Sequence, residues 1–207
     1  FEKFMLTGWG EENSDIRPLD SSRYTPARLR ALGRKFAGER LIIPAGQPKV
    51  RNDDCDYAFR PDSAFAYYTG LGQDYEAGAI LVLEPVPSVQ NGKDAGTEET
   101  HNATLYAHPR SDQTTSDYYR SAAYGEYWVG ARPGLKGLET MTGIHTADIA
   151  DFDDAVSRNV SAGDGGTHVR IIRNADPALT GQIDAIRKKN GYADISAVLS
   201  DDDALYQ

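Results

Sequence analysis

The sequence predicts an α/β domain preceded by a short arm. Short apolar runs, typical of strands buried in a sheet, alternate with segments in which apolar residues recur every three or four positions, as in amphipathic helices. The length of 207 residues suits one domain, and 40% apolar and 26% charged residues form a globular composition. The sequence shows no internal repeat at a fixed period.

The first regular segment is a helix that follows an irregular arm. Residues 1–24 mix aromatic and acidic side chains, and two interpretations stay open: packing on their own domain, or contact with another domain or subunit. Thr25 and Pro26 are typical of the first positions of a helix, and Gly38 is a typical end. The apolar residues that share one face of this helix are Leu29, Leu32 and Phe36.

Apolar runs bounded by glycine, proline or polar turns predict the strands. The turn between the second and third strands contains Gly70, Gly72 and Gly78, and the polar composition of residues 85–102 predicts a surface loop. The predicted strands cover residues 41–43, 65–69, 79–83, 104–107 and 169–172.

Helical periodicity predicts further helices between and after these strands. Asp176 and Pro177 begin the last helix, and Lys188 and Lys189 lie at its C-terminal end, where they complement the helix dipole. Residues 161–167 predict a loop before the last strand. The other predicted helices cover residues 115–124, 135–141 and 151–160.

The charge of the chain excludes some classes of partner. Its 22 basic and 31 acidic residues give a net charge of −9, which repels nucleic-acid phosphates and anionic lipids, so we expect neither partner. We find no apolar run that could span a bilayer and no signal-peptide pattern after Phe1, and we expect a cytoplasmic protein trimmed from a longer chain. The single cysteine, Cys55, excludes an internal disulfide.

The sequence lacks the short motifs of the common catalytic sites, such as dinucleotide-binding and phosphate-binding loops. Its isolated histidines are more typical of surface or hydrogen-bonded core residues than of metal ligands; they are His101, His108, His145 and His168. The acidic runs at 53–56, 151–154 and 201–203 lack the spacing of a calcium loop, and the last two are interpreted as helix starts or solvated faces. On chemistry alone, the chain is a non-catalytic α/β domain.

Two segments are richer in charged and aromatic residues than such a domain requires. Residues 50–65 form the first, and residues 127–134, Tyr-Trp-Val-Gly-Ala-Arg-Pro-Gly, form the second. Aromatic rings beside arginine are typical of recognition surfaces. The alternative is a buried charge network that fixes loops to the sheet.

Both segments resemble the N-terminal domain of Xaa-Pro aminopeptidases, the aminopeptidase P family of the creatinase and prolidase superfamily. The family pattern runs from an apolar strand through Arg and Asp to Tyr-x-[Phe/Tyr]-Arg-x-x-Ser-x-Phe-x-Tyr-x-Thr-Gly, and a Trp-x-Gly-x-Arg segment follows. The resemblance extends over residues 25–207 and implies an α/β fold with a mixed β-sheet flanked by helices. The matching residues are Arg51, Asp54, Tyr57, Phe59, Arg60, Ser63, Phe65, Tyr67, Thr69, Gly70, Trp128, Gly130 and Arg132.

The resemblance implies that this chain is the first part of an enzyme. Residues 1–24 would be an N-terminal arm and residues 25–207 the N-terminal domain, with the pita-bread catalytic domain absent from this chain. In the family, two Asp, one His and two Glu of that absent domain hold two divalent ions, usually manganese, which activate the water that attacks the Xaa-Pro amide. We therefore expect no catalytic residue, metal ligand or cofactor in this chain, and no activity of the chain alone.

The role that the resemblance implies for this domain is assembly of a homo-oligomer and access of proline-containing peptides to an active site. Asp54 and Trp128 match family positions at the active-site mouth of a neighbouring subunit. There the carboxylate would meet a cationic group and the indole would wall the substrate groove. The loop at 84–102 and the insertion at 114–124 are longer than in the shortest members, which bears on that geometry.

Two other functions remain open. The chain could be the N-terminal domain of a prolidase, which cleaves Xaa-Pro dipeptides, or of a creatinase-like hydrolase; the absent half would distinguish these. It could also be a stand-alone, non-enzymatic binding domain. A reading frame that stops near residue 207 would favour this last function.

Overall fold

A computed structural model describes Lys3 and residues 15–53, 55–73, 75–86, 100–111, 113–163, 165–192 and 195–206. The strands are β1 (Glu39–Pro44), β2 (Val50–Asn52), β3 (Cys55–Asp56), β4 (Ile80–Pro85), β5 (His101–Ala107), β6 (His145–Asp148) and β7 (His168–Ile171). The helices are α1 (Thr25–Lys35), α2 (Ser63–Thr69), α3 (Ser116–Arg120), α4 (Glu126–Val129), α5 (Gly134–Thr142), α6 (Phe152–Ser157), α7 (Pro177–Lys189) and α8 (Ile195–Asp203). Short 3₁₀ turns cover Asp20–Tyr24, Ile149–Asp151 and Ala204–Tyr206.

Five strands form one mixed sheet in the order β6-β5-β4-β1-β7. β4 runs antiparallel to both of its neighbours, whereas β1 pairs with β7, and β5 with β6, in parallel. The separate β2–β3 ribbon follows β1. The prediction of an α/β fold with a mixed sheet flanked by helices is confirmed.

Apolar side chains cover the sheet on both faces. β1 and β4 are buried along almost their whole length, which explains why both strands read as continuous apolar runs. On one face, Leu41 and Ile43 pack in a cluster with residues of α1, α2 and α5. On the other face, Ile42 packs in a second cluster with residues of α6 and α7. Successive residues of β1 therefore serve two cores, as the alternation of a strand requires.

The prediction of a strand over residues 65–69 is wrong, because these residues form helix α2. The Asp62 carboxylate caps its start by accepting a hydrogen bond from the Ala64 amide at 2.8 Å. Gly70 ends it in the left-handed conformation, with φ of 78°. Phe65 and Thr69, four residues apart, are its buried residues. Seven residues are too few for periodicity to separate a helix from a strand.

Five elements of the structure were not predicted. Strand β6 is polar and half-exposed, and its pairing with β5, not its composition, makes it a strand. The β2–β3 ribbon, α4 and α8 also lie in segments without a clear apolar period. The predicted loop at 85–102 is too long at both ends, since β4 reaches Pro85 and β5 begins at His101; residues 87–99 lie outside the described part.

The described part of the N-terminal arm lies against the domain. The Leu19 amide donates to the Met141 carbonyl at 2.9 Å, and Ile16 packs closely over Gly137. The turn Asp20–Tyr24 leads directly into α1. The boundary between residues 24 and 25 stays a prediction. Among the described helices, none combines the length and apolar character needed to cross a bilayer.

Candidate functional site

One edge of the sheet gathers the loops that hold the candidate residues. The carboxyl ends of β1, β5, β6 and β7 meet there beside the start of β4, because β4 alone runs in the opposite direction. Residues 108–133 leave this edge after β5 and include α3 and α4, and the β2–β3 ribbon leaves it after β1. Loops at one edge can combine residues that are distant in sequence.

Arg132 connects the segments at the base of this edge. Its Nη2 donates to Glu76 Oε2 at 2.5 Å and to the His108 carbonyl at 3.2 Å. Its Nη1 donates to the carbonyls of Pro109 and Tyr124 at 3.3 and 3.4 Å. Both Arg132 and Glu76 are buried. Burial raises the pKa of the Glu76 carboxyl, and Arg132 opposes part of that rise.

A second ion pair fixes the start of α4. Arg110 donates from Nε to Glu126 Oε1 and from Nη2 to Glu126 Oε2, both at 2.8 Å. The Glu126 amide donates to Ser111 Oγ at 3.2 Å. The carboxylate of Glu126 is buried, so this two-point pair is stronger and more directional than an exposed one. Helix α4, although only four residues long, is thereby held against the loop after β5.

Two glycines make the short helix α4 possible. A Cβ on Gly125 would lie 2.4 Å from the Ser121 carbonyl oxygen and 2.5 Å from that of Asp117, so only glycine lets α4 approach α3 this closely. Gly130 ends α4 with φ of 79° and ψ of −175°, a conformation essentially restricted to glycine. The segment from Gly125 to Gly130 therefore presents its side chains in one arrangement.

These side chains form an exposed cluster that we call the aromatic patch: Tyr118, Tyr119, Tyr127 and Trp128. The Tyr127 ring lies edge-on to Trp128 at 5.2 Å between centroids and 5.7 Å from Tyr119, and Tyr118 and Tyr119 are 4.9 Å apart. Trp128 donates from Nε1 to the Tyr119 carbonyl at 2.6 Å. Even so, Tyr127 and Trp128 remain 58% and 63% exposed. Large rings in fixed positions, open to solvent, are typical of a binding surface.

His108 lies directly after β5, at the same edge of the sheet. Its ring stacks on Tyr124 with 4.0 Å between centroids and 12° between planes. Burial, and then the nearby positive charge of Arg132, lower the pKa of His108. The imidazole is therefore neutral at pH 7 and packs as an aromatic ring.

The arrangement at this edge is suited to binding. The patch offers ring faces to apolar or cationic groups, and the charges beneath it are already paired. Within the described ranges, three or more His, Cys, Asp or Glu side chains nowhere come together in a group that could hold a metal ion. The donor set of the described chain therefore does not fit a metal centre.

Comparison with known proteins identifies the family. The family model described as "Aminopeptidase P, N-terminal domain" matches residues 25–167. The chain belongs to this family. The predicted resemblance is confirmed, and the domain shares the family's α/β architecture.

Curated relatives of this aminopeptidase P N-terminal domain are much longer than the chain. Xaa-Pro aminopeptidase 2 of Streptomyces coelicolor is 34% identical over 200 residues, which are 95% of this chain and 38% of the relative. Xaa-Pro aminopeptidase 1 of the same organism is 34% identical over 188 residues, or 88% of this chain and 34% of the relative. The chain thus spans little more than a third of each of these two relatives.

Solved structures show the same fold at low sequence identity. Proline aminopeptidase P II from Yersinia pestis has a TM-score of 0.58 and 22% identity, over 81% of this chain and 33% of that one. Aminopeptidase P from Escherichia coli, in its low-pH form, has a TM-score of 0.59 and 20% identity, over 81% and 32% of the two chains. These likenesses concern the fold alone.

Of the two predicted site residues of this aminopeptidase P N-terminal domain, the structure describes only Trp128. Trp128 lies in the aromatic patch, exposed on α4. Asp54 lies outside the described residues. The roles of both residues stay predictions.

Residues 127–134 had two interpretations, a recognition surface and a buried charge network, and different residues of the segment fit each one. Tyr127 and Trp128 belong to an exposed surface, whereas Arg132 belongs to a buried charge network. Sequence reasoning missed Tyr118, Tyr119 and the partner carboxylate Glu76. The double tyrosine was a visible signal for the first two, but nothing in a glycine-rich turn points to Glu76, because its partner is 56 residues away.

Proposed function

We propose that this chain is the non-catalytic N-terminal domain of a metal-dependent Xaa-Pro aminopeptidase, which removes the N-terminal residue that precedes proline. The domain would contribute to assembly of a homo-oligomer and to substrate access. The observation that supports this best is the exposed aromatic patch, beside the ion pairs Arg132–Glu76 and Arg110–Glu126, in a domain of the aminopeptidase P family.

The aromatic patch suits a peptide that contains proline. The pyrrolidine ring is a compact apolar group with a fixed φ, and its amide lacks an N–H, so recognition relies on shape and ring contact. The Trp128 indole, fixed by its bond to the Tyr119 carbonyl, is a rigid wall of this kind. Asp54, for its part, would meet a cationic group at the same mouth.

The chemical step belongs to the C-terminal catalytic domain of the full polypeptide. Two divalent ions, the manganese that is usual in the family, would supply activated water there. In its described ranges this chain offers no donor set for them. Its own contribution would be to bind and orient the peptide. The acidic composition is the ground for placing the full protein in the cytoplasm, which imaging of a tagged full-length protein would test.

The test is an assay of the full-length polypeptide with manganese on tripeptides of the type Xaa-Pro-Xaa. We expect release of the first residue, loss of activity with a chelator, and a KM about tenfold higher for Trp128→Ala, in line with the loss of one interface anchor. Trp128→Phe should retain most of the affinity. Tyr24→Ala is the matched control, since Tyr24 is a comparably exposed ring outside the patch.

Each negative result would contradict a different part of the proposed function. No proline-specific release from any peptide would refute the peptidase. Release from Xaa-Pro dipeptides only would establish a prolidase instead. An unchanged KM in Trp128→Ala would refute the role of the patch, and a monomer in sedimentation equilibrium would refute assembly.

A further inference from the structure

Helix α1 concentrates positive charge in an otherwise acidic chain. Residues 21–38 contain five basic residues and no acidic one, leaving 17 basic against 31 acidic residues elsewhere. The outer side of α1, which we call the basic face, is exposed and consists of Ala27, Arg30, Ala31, Arg34 and Lys35. Two of these five residues are alanines, which add little bulk to the surface.

Within the described part of the chain, the cations of the basic face have no carboxylate partner. Arg30, Arg34 and Lys35 form no ion pair with any other described residue. Arg30 and Arg34 are four residues apart, where like charges repel. The helix dipole favours Arg34 and Lys35 in the last turn, but it does not favour Arg30. The stability of α1 alone therefore does not explain this charge.

A cavity of about 540 Å³ adjoins the basic face. Arg30 and Thr25 line it from α1, and His101 and His145 from the starts of β5 and β6. The Thr25 hydroxyl is almost fully buried and has no hydrogen-bond partner among the described residues. Polar side chains of a docked surface could enter this cavity beside the cations.

We infer that the basic face docks on a carboxylate-rich surface of the catalytic domain in the same polypeptide. This inference rests on the proposed function, which supplies that domain. Leu205, in the last described turn, packs in the same cluster as Leu32 of α1 and Phe36, the residue that follows α1. The Arg170 guanidinium lies 4.9 Å from the centre of the Phe36 ring and also donates to the Asp201 carbonyl. A domain connected after this turn is thus tethered beside α1.

The composition of the basic face favours a tethered partner over a second copy. Exposed ion pairs contribute little each, and two alanines offer little apolar area. Such a surface cannot offset the loss of free motion when two separate molecules associate. A covalent tether removes most of that cost, because the effective concentration of the partner surface is high.

The experiment compares full-length wild type with Arg30→Glu/Arg34→Glu by limited proteolysis between the domains and by small-angle X-ray scattering. We expect interdomain cleavage about tenfold faster in the variant, from two lost ionic contacts, and a larger radius of gyration. Raising the salt concentration should open the wild type in the same way. Arg30→Lys/Arg34→Lys, which keeps the charges, should behave as wild type.

Lys188→Glu/Lys189→Glu is the matched control, with the same charge change on exposed residues of α7 across the sheet. Equal cleavage and equal radius in Arg30→Glu/Arg34→Glu and wild type would overturn the inference. So would an oligomer that the variant dissociates without any change in interdomain cleavage, since a second copy would then be the occupant. Proline-specific release by wild type in the same preparations reports separately on the proposed function.

Discussion

The buried side chains of Arg187 and Asp202 form an ion pair in the interior of this domain. Arg187 and Asp202 are both completely inaccessible, and Asp202 accepts from both terminal nitrogens of Arg187, at 2.9 and 2.7 Å. Asp202 also accepts from Arg173 Nη1 and from the Ile171 amide, both at 3.0 Å. The interpretation of residues 201–203 as a solvated face is therefore wrong for Asp202, whose partners lie on β7 and α7.

The substitution Asp202→Asn tests how much this ion pair contributes to the stability of the domain. The amide keeps the shape but leaves Asp184, 3.1 Å from Arg187 Nη1, as the remaining carboxylate beside the buried guanidinium, so we expect a loss of about 1–3 kcal/mol of unfolding free energy. Urea unfolding followed by circular dichroism measures it. Asp203→Asn, one residue on and exposed, should stay within about 0.5 kcal/mol. Equal unfolding midpoints for both variants would show that the buried carboxylate contributes nothing.

Among the elements, α4 depends on close approach of backbones, whereas α7 depends on ordinary helical packing. Gly125 allows three carbonyls of α3 and the following turn to lie within 2.8 Å of where a Cβ would be. Gly181 lies inside α7 with nothing within 4 Å of its Cβ position. The same residue type therefore has opposite roles in two helices.

The substitution of alanine for each glycine should shift stability in opposite directions. In Gly125→Ala the added Cβ would push α4 away from α3. The free energy of unfolding should fall by about 1–3 kcal/mol, as it does in overpacked variants. Gly181→Ala removes backbone freedom from the unfolded chain and should add about 0.5–1 kcal/mol. Thermal unfolding of both variants checks the signs. A stabilised Gly125→Ala would contradict the close contact between α3 and α4.

At the scale of the whole molecule, packing holds two histidines neutral. Burial is the main cause that lowers the pKa of both His101 and His108. His101 has both ring nitrogens bonded, Nδ1 to Thr100 Oγ1 at 2.9 Å and Nε2 to the Glu39 carbonyl at 2.8 Å. For His101, the predicted hydrogen bonding is confirmed, but the residue is half-buried at the start of β5 and does not lie in the core.

Stability should therefore fall on mild acidification. Below the ordinary histidine pKa of about 6.5 the unfolded chain binds protons that the folded chain does not, so the free energy of unfolding decreases as pH falls. Urea titrations at pH 8, 6.5 and 5.5 measure this slope. His108→Phe keeps the stack on Tyr124 without titrating, and should flatten the slope. Its stability at pH 8 reports any packing change. An unaltered slope would mean that His108 is not a source of the pH dependence.

The sequence by itself determined the class of the fold, most of the helices and the family. Continuous apolar runs at β1 and β4 arise because both faces of the sheet are covered, and the period of α1 and α7 follows from their single buried side. The spaced motifs around Arg51 and Trp128 indicated the family, since each position depends on its own residue type. These are local signals, and they are strongest where burial is most complete.

Only the tertiary structure decided which charges pair and which short segments take shape. Whether residues 63–69 form a helix or a strand depended on a capping Asp62 and on neighbours, not on seven residues of pattern. β6 is a strand because β5 pairs with it. Glu76 pairs with Arg132, which is 56 residues away in sequence. Asp202 pairs with Arg187, which is 15 residues away. Such pairings depend on distances set by the whole fold, which no local period encodes.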